Sequence, residues 1–210
     1  MRLATGLAAL LTTLWGAFMI LTFSCRRSEF PRGLASPVLA IELVDREVDV
    51  LIVVSKCSVE SLRQSVHLDL LLIPFYVAYL ALAGWMLGAD WAVPIAIGAG
   101  LADYAENYFI LESLHGAAPH QLLPSLVKWA LLAAVLAVLG MAWLRSGLEV
   151  YTPWVRKILG AAHVAAALLM LAALPGHWSP LGYLTLEPGT GILSLTIAGN
   201  AFGLLRNVRQ

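Results

Sequence analysis

The chain has 210 residues, of which 60% are hydrophobic and 12% charged, and its mean hydropathy is +0.82. One soluble core of this size could not hide so much apolar surface, so composition places the chain in a bilayer. Formal net charge is zero, and no basic run is interleaved with aromatics, which leaves a nucleic-acid partner without electrostatic support.

Leu3 to Phe23 is apolar apart from threonines and follows a single Arg2. No Ala-x-Ala precedes a break, and Thr22-Phe23-Ser24-Cys25 lacks the aliphatic residue expected three positions before a lipidated cysteine. The segment therefore predicts a retained first transmembrane helix over 3–23 rather than a cleaved signal.

The long polar segment 25–64 follows, with its acids and bases in balance. Ser36-Pro37 offers a helix start, and the mixture of Val38, Leu39, Ile41, Leu43 and Val44 with Glu42, Asp45, Arg46 and Glu47 predicts a short helix lying at the membrane interface. The β-branched run Val48 to Val54 has no evident strand partner and is expected as helix or embedded loop. Cys25 and Cys57 fit neither a disulfide-rich scaffold nor a paired-cysteine zinc site, and both one bridge and two unpaired thiols remain open.

Further spans are expected over 65–87, 92–113, 124–144, 155–174 and 189–205, giving an all-α integral membrane bundle of about six transmembrane helices in a single domain, 1–210. Gly88-Ala-Asp90-Trp91 is a very short turn that sets the third span beside the second. Trp85, Trp91, Trp129, Trp143, Trp154 and Trp178 fall near span ends, as an interface belt requires. His163 reads as a hydrogen-bonded interior histidine and Asn200 as interhelical glue. The cations Arg2, Arg145, Arg156, Lys157, Arg206 and Arg209 gather on one side and predict a cytoplasmic N-terminus in a bacterial inner (plasma) membrane, with the polar first loop outside.

The anomaly in this apolar frame is Gly100-Leu-Ala-Asp103-Tyr104-Ala-Glu106-Asn107-Tyr108. Asp103, Glu106 and Asn107 are spaced i, i+3, i+4 and share a helical face. Asp69 lies roughly 20 residues before the Gly88–Trp91 turn and Glu106 roughly 16 after it, so at a rise of roughly 1.5 Å per residue their depths differ by ~6 Å and they can converge. Charged groups at that depth need partners or water.

Three readings compete for this site. In the first, Asp69, Asp103 and Glu106, with His67 or His120, hold a divalent metal that activates water for a lipid-directed hydrolase or transferase. No His-Glu-x-x-His or comparable ligand set accompanies them, and haem is disfavoured because His163 has no second histidine placed to match it. In the second, the carboxylates with Asn107, Tyr76, Tyr104 and His67 bind an ion or the polar head of a membrane lipid. In the third, the polar residues bond between helices or pair with Arg63 and Lys128, which suits an accessory subunit among other membrane proteins. The sequence-level expectation is an accessory or ligand-binding subunit with its carboxylate site toward the non-cytoplasmic side.

Leu68-Asp69, Pro74-Phe-Tyr76 and Ala102-Asp103-Tyr-Ala-Glu106-Asn107 resemble a set of small bacterial multi-pass membrane proteins without an assigned activity. The resemblance implies a bacterial membrane protein in which Asp69, Asp103, Glu106 and Asn107 act as one unit. It carries no reaction to transfer.

Overall fold

A computed structural model describes residues 1–22, 37–44, 46–149, 151–174 and 180–206. Among them all regular structure is helical: α1 (Arg2–Thr22), α2 (Pro37–Glu42), α3 (Glu47–Lys56), α4 (Val59–Met86), α5 (Ala92–Leu114), α6 (Leu122–Arg145), α7 (Pro153–Ala173) and α8 (Pro180–Arg206). The protein is an all-α membrane bundle. α1, α4, α6, α7 and the Pro188–Arg206 part of α8 are each long and apolar enough to cross a membrane. α5 has a span's length, 23 residues, but Asp103, Glu106 and Asn107 lower its hydropathy, and it is not among those five.

The long helices form a closed ring in which α1, α4, α5, α6, α7 and α8 are successive neighbours and α8 returns to α1. Small residues set several of these contacts. A Cβ on Gly160 would lie 2.9 Å from the Gly140 carbonyl oxygen, so α6 and α7 meet at backbone distance, and one on Gly100 would lie 2.6 Å from a Val77 methyl, so the Val77 side chain of α4 seats on bare α5 backbone. α1 and α8 behave differently along their length. A Cβ on Gly6 would meet Leu205 Cδ2 at 3.0 Å, whereas one on Gly16 would find nothing within 4 Å. The seam is pinched at Gly6 and open at Gly16.

Several expectations are revised. α4 starts six residues before the expected span because Ser58 caps it, its hydroxyl accepting from Ser61 N at 3.1 Å. The 48–54 run lies in helix α3. α2 does not lie exposed at an interface: Leu39 to Val44 are all buried against the bundle. Its last carbonyls, which a helix end leaves without partners, are capped from α6 by Gln121 Nε2 to Ile41 O at 3.2 Å and Ser125 Oγ to Glu42 O at 2.7 Å. Of the expected belt, Trp85, Trp91 and Trp154 are exposed, but Trp129 and Trp143 are buried in the core. Trp178 and Cys25 lie outside the described residues, and Cys57 is disulfide-bonded.

Candidate functional site: a carboxylate cluster around Lys128

α5 buries a stripe of Ala96, Ala99, Gly100, Asp103, Glu106, Asn107 and Ile110, at the three- and four-residue steps that keep one helical face inward. The polar triplet therefore takes core positions. On α4, Asp69 meets it directly: Asn107 Nδ2 donates to Asp69 Oδ2 at 2.8 Å and to Asp103 Oδ1 at 3.5 Å. Tyr76, two turns further along α4, donates its hydroxyl to Asp103 Oδ2 at 2.7 Å.

The centre of the site is Lys128 of α6. Its Nζ pairs with Glu42 Oε2 at 3.1 Å, with Asp103 Oδ1 at 3.4 Å and with Glu106 Oε2. It also lies 4.6 Å from the centroid of the Trp129 ring. Lys128, Glu42, Asp103 and Glu106 are each no more than 5% exposed. Ser125, one turn before Lys128, sits within 2.6 Å of Glu106 Oε1. Its hydroxyl has one hydrogen to share among Glu106, the Glu42 carbonyl and the Gln121 carbonyl at 2.9 Å. Burial raises the Glu42 carboxyl above its ordinary value of 4.5, while the adjacent Lys128 ammonium pulls it down.

A cavity of about 380 Å³ adjoins the cluster. One wall carries Glu42, Asp69, Tyr76, Asp103 and Lys128, and the other is built by α1 and α8 with Gly16, Ala17, Ile20, Leu193 and Leu195. Three hydroxyls on this second wall are turned back on their own helices: Thr12, Thr13 and Ser194 bond to the carbonyls of Ala8, Ala9 and Thr190. The rim opens outward, since Ile20 is 80% and Leu195 76% exposed. An acidic face and an aliphatic face thus bound one space reached between α1 and α8, at the splayed end of the seam.

Asp69, Asp103, Glu106, Asn107 and Tyr76 are together as expected, but other candidates are elsewhere. Tyr104 follows Asp103 by one residue, a turn of about 100°, and is 44% exposed on the outer face. His67 precedes Asp69 by two residues and is exposed. His120 is exposed and stacks edge-on with Phe109 at 6.0 Å. Arg63 bonds His115 at 2.8 Å and pairs with Glu60 at 3.7 Å, away from the cluster. Among the described residues, no group of three or more His, Cys, Asp or Glu is disposed to hold a metal ion. The ammonium of Lys128 occupies the point on which the carboxylates converge.

Sequence reasoning did not place Glu42 and Ser125 in the site. Lys128 was legible only as a pairing candidate near a span start. Elsewhere, Asn200 of α8 donates to the Tyr79 hydroxyl of α4 at 2.7 Å, and His163 is buried with Nδ1 2.7 Å from Leu159 O. Compared with protein-family models, curated proteins and solved structures, the chain matches none.

Proposed function

We propose that the protein is a membrane-embedded subunit that binds an amphiphile taken laterally from the bilayer. The polar head rests on the Asp69–Asp103–Lys128 wall and the chain lies along α1 and α8. The observation that carries this reading is the two-faced cavity, about 380 Å³ in volume and within the range of roughly 300–1,000 Å³ of small-molecule sites. A site that only fastened helices together would close on its own polar groups and leave no such space beside them.

The sequence supports a bacterial inner membrane with the N-terminus cytoplasmic, through the cations at that end of the bundle and the resemblance described above. In that orientation the cluster lies in the non-cytoplasmic half, below α2 and α3. The test is gentle extraction into nanodiscs followed by mass spectrometry of retained lipid. A stoichiometric amphiphile is expected in the wild-type protein, and retention that is unchanged when a bulky side chain fills the gap at Gly16 rejects the reading.

A further inference from the structure

The cavity also carries information about the head it accepts, and resting on the amphiphile reading we infer that this head is a protonated primary amine. Four carboxyl groups, Glu42, Asp69, Asp103 and Glu106, stand in one connected cluster, and Lys128 is the cation that the described residues bring to them. In a low-dielectric interior, carboxylates in such numbers need further positive charge or protons. A phosphate or carboxylate head would add like charge beside Asp69 and Asp103, whereas an ammonium would offset it.

Lys128 itself displays the geometry. It is an alkylammonium, buried to 3% exposure, whose head touches carboxylates from two helices. A second alkylammonium entering from the α1–α8 side meets Asp69, which lines the cavity, accepts from Asn107 through Oδ2, and has no ion-pair partner among the described residues. Asp103, shared with Lys128, stands beside it.

A second feature favours a cation in this space. Trp129 lines the cavity, and its ring already lies 4.6 Å from one ammonium, Lys128 Nζ. An aromatic face attracts an alkylammonium and offers nothing comparable to an anionic head.

The test uses the full chain in phosphatidylcholine nanodiscs at neutral pH, titrated with octadecylamine, octadecanol or stearate carrying two bromine atoms on the chain. Bromine quenching of tryptophan reports binding, and a Trp129→Phe variant assigns the signal. Saturable quenching by the amine, about ten-fold or more tighter than by the alcohol and absent with stearate, is expected. Asp69→Asn, an isosteric change, should bring the amine down to the level of the alcohol while the alcohol still binds. Equal or tighter binding of the alcohol or stearate by the wild-type protein overturns the amine assignment, as does an undiminished amine preference in folded Asp69→Asn. Should that variant fail to fold, the three-ligand comparison on the wild type decides alone. Absence of saturable quenching by all three ligands overturns instead the amphiphile reading on which the inference rests.

Discussion

Lys128 Nζ lies 3.1 Å from Glu42 Oε2, so the short helix α2, which spans nothing, is joined to the interior of the ring through a buried ion pair. The same ammonium holds Asp103 and Glu106. Lys128→Met should therefore strand carboxylates from two elements at once and cost about 3–5 kcal/mol. A melting experiment in nanodiscs checks this. Partial recovery in Lys128→Met combined with Glu106→Gln is expected, and a single variant as stable as the wild type would refute the central role given to this side chain.

Ser125 is the hinge pin between α2 and the cluster, touching both the Glu42 carbonyl and Glu106. Ser125→Ala leaves buried acceptors short of a donor, at a cost of about 1–3 kcal/mol. The loss should appear locally, as faster amide exchange in α2 and α3 with α7 unchanged. Uniform exchange throughout the ring would contradict the assignment.

The two ends of the α1–α8 seam should respond oppositely to bulk. Gly16 faces open space, so Gly16→Phe should change stability by no more than about 0.5 kcal/mol while obstructing the cavity and emptying it of retained amphiphile. Gly6 abuts Leu204 and Leu205, so Gly6→Leu should destabilise by about 1–3 kcal/mol through overpacking. Thermal melts and lipid analysis on the same two preparations separate the effects.

Burial holds the Glu42 proton more tightly in the folded chain than in the unfolded one, where the carboxyl returns to about 4.5. The stabilisation from this group is complete below that pH and is lost as pH rises through the higher folded value. Lys128, Asp103 and Glu106 face Glu42 and act on its carboxyl, so the informative quantity is a difference: the melting temperature of Glu42→Gln should fall less steeply with rising pH than that of the wild type. Parallel curves would show that Glu42 does not contribute.

Much of the site was legible because the Gly88–Trp91 turn fixes the register of α4 against α5, and helical spacing alone then sets Asp69 beside Asp103 and Asn107. The same arithmetic of about 100° per residue turns Tyr104 and His67 outward once the inward face is known. Glu42 was illegible for a different reason. A six-residue helix with an apolar run and one acid has the same composition at an interface as inside a bundle, and only the side chains of Gln121 and Ser125, some 80 residues away, determine which. Trp129 and Trp143 were misplaced because proximity to a span end does not say which way a ring points. The cavity could not be read at all, since it exists through the divergence of α1 from α8.

Those two helices are neighbours in space although the rest of the ring separates them along the chain. During synthesis from the N-terminus, α4, α5 and α6 enter the membrane carrying Asp69, Asp103 and Lys128 on an open-sided acidic face, and the α8 wall arrives afterwards. On the amphiphile reading proposed above, a lipid of the surrounding leaflet would meet that face before the α8 wall arrives. Capture would then begin during biogenesis, and the gap at Gly16 would keep the site in exchange with the bilayer afterwards.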